Sequence, residues 1–243
     1  MRKTDRELAI FVHIYKNSGT TVTQQMKRHY GEAGLRREND GAVDGVKFVD
    51  RIRAALLEDR TRAVVGHFKF HRIAKVLTEI GAGPARFFSF VRDPVPRAVS
   101  IYRYSRALES ARHHALARDL DLNAFLETLM DDSAGPITNH QACCLSADGT
   151  RSFDAARQSI RENFAFVGLS DRLEATNTLA RSSLGLAFDG ALRANVSAKG
   201  AGLAQIAAAT LARLQSLNTE DQRLYDFVRA SLPAAAVGAS VNA

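Results

Sequence analysis

Two short segments of the chain carry the residue types that bind phosphate groups. The first, residues 11–22, places Lys16 and Gly19 between an apolar stretch and a candidate helix. The second, residues 87–102, places Arg92 directly after another apolar stretch. Each pattern predicts a strand, a short loop with a cation at its mouth, and a helix. Because helix N-termini attract anions, the sequence predicts two anion sites on one sheet edge, as a nucleotide phosphorylated at two positions requires.

The first loop, residues 16–21, has the composition of a phosphate cradle. We expect Gly19 to let backbone N–H groups approach a phosphate, Thr20 and Thr21 to add hydroxyl donors, and Lys16 to supply a mobile positive charge. The lysine precedes the glycine, so the loop is not a Walker A motif. The alternative interpretation is an ordinary strand–helix turn with a solvated Lys16.

The second segment combines a cation at a strand end with a proline-started helix. Arg92 can bind a phosphate through two parallel hydrogen bonds. We expect Asp93 to cap or orient the turn and Arg97 to form a structural ion pair. Helical spacing places Arg97, Ser100 and Tyr104 on one side of this helix. The alternative is an amphipathic helix with an ordinary charged face.

A histidine follows a third apolar stretch and is the candidate general base. His67 comes directly after the predicted strand 63–66, so it projects from the same sheet edge as both loops. An imidazole titrates near neutral pH and therefore suits proton removal from a hydroxyl. A structural role for His67 is the alternative, and Lys69 is a candidate contact for an anionic acceptor.

The elements that must position these groups alternate between strand and helix. Apolar runs predict strands at 8–14, 63–66, 86–91 and 164–169, and a surface loop is expected at 31–45. Helices are predicted at 20–30, 46–57, 71–80, 94–118, 122–130, 172–184, 203–217 and 219–232. Asp121 is expected to cap one of them, and Asp171 with Glu174 resembles a capping box. The alternation predicts one α/β domain with a parallel central sheet flanked by helices.

Composition bounds the class of protein. The 243 residues are 46% hydrophobic, with a net charge of +7 and a pI near 9.7, which favours anionic partners. No apolar run reaches the roughly 20 residues of a membrane span, and we do not expect residues 1–7 to begin a signal peptide. Cys143 and Cys144 are adjacent, which excludes a long-range disulfide framework and predicts a cytoplasmic protein. We expect a domain over 1–232 and a flexible Ala-rich tail over 233–243.

The two phosphate-type segments together resemble the sulfotransferases that use 3′-phosphoadenosine-5′-phosphosulfate (PAPS), specifically the carbohydrate branch that includes heparan sulfate 2-O-sulfotransferase. The family's H-x-P-K-T-x-G-T-[ST] loop is matched by residues 13–21, with Tyr15 for proline and Asn17 for threonine. Its F-x-R-[DN]-P-x-x-R-x-x-S-x-Y motif is matched by residues 90–102. Weaker matches are Asn139-His-Gln141 and the helix start near Asp221.

The resemblance implies a fold, a cofactor and roles for named residues. The fold would be the P-loop-like, PAPS-binding sulfotransferase fold. Residues 16–21 (Lys16, Asn17, Ser18, Gly19, Thr20 and Thr21) would hold the 5′-phosphosulfate, with Lys16 also stabilising the leaving phosphate. Arg92 and Ser100 would bind the 3′-phosphate, Lys199 would contact a phosphate from a later loop, and His67 would be the base.

The implied reaction is transfer of a sulfuryl group from PAPS to an acceptor hydroxyl on a glycan or glycoconjugate, without a metal. One rival is a P-loop-type nucleoside or nucleotide kinase, which lacks support because no magnesium-binding aspartate is evident. The other is a basic nucleotide- or nucleic-acid-binding domain without turnover. Nucleic-acid binding is not expected, because the phenylalanines lie in predicted strands and not on basic surfaces.

Overall fold

We describe the protein from a computed structural model that defines residues 7–38, 45–133, 135–187 and 203–232. Within these ranges one parallel sheet is flanked by helices, which confirms the predicted single-domain α/β architecture. The predicted tail over 233–243 and the candidate phosphate ligand Lys199 lie outside the described residues. No helix in the described ranges is long and apolar enough to cross a membrane.

The sheet has five strands in the described part of the chain: β1 Leu8–Val12, β2 Leu35–Arg37, β3 Ala63–Gly66, β4 Ala85–Val91 and β5 Phe164–Leu169. Their order is β2-β3-β1-β4-β5, and every neighbouring pair is parallel. From β1 the chain passes to the edge strand β2, returns to β3 beside β1, and then crosses to β4 on the other side of β1. Ligands of such sheets bind outside the carboxyl ends of the strands at this reversal, which here lies at the end of β1.

The helices of the described ranges are α1 Gly19–Gly34, α2 Gly45–Leu57, α3 Phe70–Glu79, α4 Pro94–Ala107, α5 His114–Asp119, α6 Leu122–Asp131, α7 His140–Leu145, α8 Phe153–Asn163, α9 Leu173–Leu184, α10 Ala208–Ser216 and α11 Thr219–Ser231. A 3₁₀ turn at Leu203–Gln205 precedes α10. The end of α4 is an unexpected feature. The helix stops at Ala107, and Leu108 is extended. The chain then folds back through α5, and the hydroxyl of Tyr102 on α4 donates to the carbonyl of Leu120 at the end of α5.

The central strand β1 is buried on both faces, as its continuous apolar sequence predicts. Ile10 and Val12 belong to the core under α2, α3, α8 and α11, whereas Phe11 belongs to the core under α1 and α9. Phe11 also stacks on Phe88 of β4, with ring centroids 5.1 Å apart. Each fully buried side chain of this size stabilises the fold by about 1.5–3 kcal/mol, so the sheet is a rigid base for the loops at its edge.

The predicted helix at 94–118 is wrong beyond Ala107, where the chain becomes extended at Leu108. Two further local predictions are wrong. Residues 35–37 were expected within a surface loop but form the edge strand β2, which pairs with β3 where Gly66 allows close approach: a Cβ there would lie 1.4 Å from the carbonyl oxygen of Glu38. Asp171 does not cap α9, whose N-cap residue is Arg172 without a side-chain cap. The carboxylate of Asp171 accepts a hydrogen bond from the Tyr225 hydroxyl instead, at 2.7 Å.

Candidate functional site

The carboxyl ends of β1, β3 and β4 bring the predicted site residues to one edge of the sheet. Val12 is in register with Gly66 on one side and with Ser89 on the other. β1 and β3 end at this pair and β4 ends two residues later, at Val91, so the residues that follow the three strands leave the sheet at the same edge. The structure thus places the Lys16 loop, His67 and Arg92 at one edge, as the sequence predicts, and we call the space above this edge the cleft.

The first loop has an unusual backbone conformation. Lys16 and Ser18 both adopt the left-handed region, with φ of 67° and 58°. Each such non-glycine residue costs roughly 1–2 kcal/mol, and strain of this kind concentrates at functional sites. Ser18 precedes α1 without a side-chain cap, so the N–H groups of the first helical turn keep no intrahelical partner. These N–H groups, together with the positive end of the helix dipole, form a cradle that suits an anion.

Gly19 is required by a side chain as well as by the cradle. A Cβ at this position would lie 1.6 Å from Nε2 of His13, so only glycine lets the imidazole lie against the start of α1. The His13 ring stacks on Phe11, at a centroid distance of 5.3 Å, and lies tilted against the His67 ring, at 3.9 Å. Burial and the charges of neighbouring groups hold the pKa of His13 well below its ordinary value. His13 is therefore a neutral packing element under the loop.

Lys16 has an ammonium group without an ion pair among the described residues. Its Nζ lies 3.9 Å from the ring centroid of Tyr104 on α4, a cation–π contact. Burial, followed by repulsion from Arg92, lowers the pKa of Lys16 to about 8. Two cations that repel each other in a half-buried cleft favour an anionic ligand.

Arg92 leaves β4 at the mouth of the same cleft. Burial lowers its pKa, while the nearby carboxylates Asp171 and Asp93 act in the opposite direction. Its guanidinium makes no hydrogen bond or ion pair within the described ranges. Asp93 is occupied as the predicted cap of α4, since it accepts from the backbone N–H of Val95 at 3.0 Å. The guanidinium donors of Arg92 are therefore open to a ligand.

His67 is oriented by the backbone of the first loop. Its Nδ1 lies 2.9 Å from the carbonyl oxygen of His13. A carbonyl oxygen only accepts, so Nδ1 carries the proton and Nε2 is the basic nitrogen of the neutral ring. Burial lowers the pKa of His67 below its ordinary value, so the imidazole is neutral at pH 7. This tautomer and charge suit a general base.

Asn17 does not face a phosphate, contrary to the expectation from the loop motif. It is fully buried, and its Nδ2 donates to the carbonyl oxygen of Phe90 at 2.8 Å and to Oε1 of Gln141 at 2.7 Å. Its backbone N–H donates to Ile14 at 3.1 Å. With all its donors engaged inside the protein, Asn17 anchors the loop to the end of β4.

The remaining predicted residues differ in exposure. Ser18 and Ser100 are half-buried and Thr20 is exposed, whereas Thr21 is buried. Arg97 is buried and forms no ion pair in the described part of the chain, contrary to expectation. Its guanidinium donates to two carbonyl oxygens instead, those of Tyr15 at 3.1 Å and Pro136 at 2.8 Å. Arg97 thus supports the first loop from below.

Sequence reasoning missed the buried polar residues behind the cleft. Gln141 on α7 bonds to both phosphate-type segments, and Asp221 on α11 accepts from the backbone N–H groups of Gln141 and Ala142 at 3.1 and 2.8 Å. The weak matches at 139–141 and near Asp221 are the sequence signals that pointed to this region. Cys143 and Cys144 are free and buried, as expected of small core residues. The described residues contain no group of three or more His, Cys, Asp or Glu side chains arranged to hold a metal.

Comparison with known proteins supports the fold. No protein-family profile and no curated protein sequence matches the chain. The crystal structure of mouse sulfotransferase SULT7A1 complexed with PAP is similar, with a TM-score of 0.56 and 14% identity over 95% of this chain and 88% of that chain. At this identity the likeness shows the fold alone. The chain has the fold of a sulfotransferase.

Proposed function

We propose that this protein is a PAPS-dependent sulfotransferase acting on an acceptor hydroxyl, and that the acceptor is a carbohydrate. One observation carries the proposal: Lys16 and Arg92 meet in one cleft, each beside a helix start and neither in an ion pair within the described ranges. Half-buried charges without partners are costly, so the cleft is built for a ligand with two anionic groups.

The donors in the cleft fit a nucleotide that carries phosphate at both its 3′ and 5′ positions. The backbone N–H groups at the start of α1, together with Lys16, suit the 5′-phosphosulfate. Arg92 suits the 3′-phosphate, with the half-buried hydroxyl of Ser100 on α4 as a second donor. Because burial and Arg92 lower the pKa of Lys16 to about 8, an anion beside the ammonium would relieve an existing repulsion.

Each residue of the cleft has a different role in the proposed reaction. PAPS, when bound, supplies the sulfuryl group and a phosphate leaving group. Lys16 stabilises the negative charge that develops on the leaving oxygen, and preorganised donors of this kind typically contribute about 10²–10³ in rate. His67 takes the acceptor proton on Nε2, a step worth typically about 10²–10⁴ in rate. Arg92 and Ser100 hold the nucleotide so that the reacting groups stay in line.

The carbohydrate acceptor rests on the resemblance of the 13–21 and 90–102 motifs to the carbohydrate branch. His67 lies where that branch has its proposed base, and Lys69, two residues later, is half-buried near the same edge. A cation there favours an anionic glycan or glycoconjugate.

Calorimetric titration with 3′-phosphoadenosine-5′-phosphate (PAP), without magnesium, tests the proposal. The same protein is titrated with ATP and with AMP, and the variant Arg92→Ala is titrated with PAP. We expect PAP to bind more tightly than either. Since hydrogen bonds to charged groups contribute about 1.5–3 kcal/mol, Arg92→Ala should weaken PAP binding by roughly 10- to 150-fold.

Arg86→Ala is the matched control, because Arg86 lies at the opposite end of β4 and bonds to Glu7 and to the carbonyl of Ser183. It should leave PAP binding unchanged. Preference for ATP would favour a nucleotide kinase, and absence of PAP binding would refute the sulfotransferase proposal.

A further inference from the structure

The carboxamide of Gln141 bonds to both anion-binding segments at once. Its Oε1 accepts from the side chain of Asn17 at 2.7 Å and from the backbone N–H of Arg92 at 2.9 Å. Its Nε2 donates to the carbonyl oxygen of Arg92, also at 2.9 Å. The side chain is fully buried. One amide group therefore joins the first loop to the residue that carries the second cation.

Asn17 completes this link from the side of the loop. Its second amide hydrogen is donated to the carbonyl oxygen of Phe90, two residues before Arg92. Asn17 lies between Lys16 and Ser18, the two residues in the left-handed conformation. The hydrogen bonds of Asn17 thus hold the strained part of the loop against the end of β4.

Gln141 is itself held by a reciprocal arrangement between α7 and α11. The Asp221 carboxylate accepts from two N–H groups at the start of α7. The side-chain oxygen of Asn139 accepts in return from the N–H groups of Glu220 and Asp221, at 3.0 and 3.1 Å. Each helix start is capped by a residue of the other, so α7 has little freedom to shift.

We propose that Gln141 is a positioning residue that sets the separation between the Lys16 loop and Arg92, so that both phosphates of one nucleotide are engaged together. The inference rests on the proposed function and deepens it. Gln141 is too buried to touch the nucleotide, so its effect is on the coupling between the two anion sites. Two linked contacts give an affinity gain only when their spacing matches the ligand.

The test compares ligands that carry one phosphate with the ligand that carries two. Affinities for AMP, 3′-AMP and PAP are measured for the wild type, for Gln141→Met and for Asn17→Ala. The increase in affinity for PAP over the affinities for the two mononucleotides, called the gain below, measures the coupling between the two anion sites. We expect Gln141→Met to lose roughly 10- to 100-fold of this gain while the mononucleotide affinities stay nearly unchanged, and Asn17→Ala to lose a similar part of the gain while the 3′-AMP affinity stays nearly unchanged.

Asn17→Ala removes the loop side of the link and leaves the bonds between Gln141 and Arg92 in place, so it serves if Gln141→Met does not fold. Thr176→Val is the matched control, because Thr176 is also buried and bonds to the backbone at Leu169 and Arg172. This variant should keep the full gain at a similar cost in thermal stability.

The outcomes separate the inference from the proposal on which it rests. Equal losses for all three ligands, or an unchanged gain in both variants, would overturn the positioning role while PAP binding by the wild type stands. Failure of the wild type to bind PAP would overturn the proposed function, and this inference with it.

Discussion

The two segments that we propose to bind anions present similar donors by different means. The first is made of backbone: its donors are N–H groups at a helix start, shaped by left-handed Lys16 and Ser18. The second is made of side chains on regular structure, with Arg92 at a strand end and Asp93 capping a proline-started helix. The first contains left-handed residues that its neighbours must hold in shape, whereas the second continues a strand and a helix and is bonded to Gln141 at the Arg92 backbone.

This difference explains where the buried polar contacts lie. Arg97 and His67 bond to backbone carbonyls in or beside the first loop, and Asn17 of that loop bonds to the carbonyl of Phe90. The second segment has one local cap, at Asp93, and two bonds between the Arg92 backbone and Gln141. A substitution near the first loop should therefore change geometry, whereas a substitution at Arg92 should remove charge and donors.

The largest expected effect is on the chemical step, at the histidine that bonds to the backbone of the first segment. His67→Ala should lower the rate of PAP release from PAPS, with a mixture of sugar acceptors, by about 10²–10⁴-fold while PAP affinity stays unchanged. His71→Ala, a histidine on α3, is the control and should retain the rate. Loss of PAP binding in His67→Ala would place this ring in the support of the loop and not in proton transfer.

The next effect separates geometry from charge. Gly19→Ala would place a methyl group 1.6 Å from His13 Nε2, and such overpacking typically destabilises a protein by about 1–3 kcal/mol. We expect a lower Tm and weaker PAP binding, both partly restored in the double variant His13→Ala with Gly19→Ala. Additive effects of the two substitutions would show that the ring and the glycine are not coupled.

A smaller effect is expected where the positive charge is kept but the arrangement of its hydrogen-bond donors is changed. Arg92→Lys retains the cation but loses the two-hydrogen-bond geometry, so PAP affinity should fall by roughly tenfold, less than in Arg92→Ala. Calorimetry checks both. An equal loss in the two variants would mean that the charge of Arg92 contributes little beyond its fork of donors.

The smallest effect is a pH dependence confined to the first segment. The pKa of Lys16 is about 8 in the free protein, and a bound anion should raise it, so binding takes up a proton above that pH. PAP affinity should be flat from pH 7 to 8 and then fall by up to about tenfold per pH unit until the raised pKa is reached. Lys16→Arg should abolish the fall, and a fall that persists would assign it to another group.

Much of the fold follows from local sequence. The buried strands at 8–12, 63–66, 85–91 and 164–169 have continuous apolar runs, and the Asp93 and Asp121 caps are readable from their spacing. The edge strand β2 was missed because Leu35-Arg-Arg has one apolar residue and depends on pairing with β3. Short helices such as α7 were missed for the same reason, since tertiary contacts stabilise them.

The functional residues of the candidate site could be predicted from the sequence, but the buried polar residues that hold them in place could not. Lys16, His67 and Arg92 follow strands, and parallel strands bring their carboxyl ends together. The link through Gln141 joins residues more than a hundred positions apart, at 17 and 141, and no local pattern reveals such a contact. The prediction for the Asn17 side chain failed for this reason. Its position in the motif indicated a contact with a phosphate, whereas its amide bonds to groups inside the protein.

The reciprocal capping of α7 and α11 has a consequence for the order in which the protein matures. The strands β1 and β4 and both cationic segments are synthesised within the first 102 residues. The carboxylate that fixes α7, and through Gln141 the loop at residue 17, arrives only with Asp221. On the ribosome, where chains fold from the N-terminus onward, the sheet can assemble early while the cleft acquires its final spacing near the end of translation.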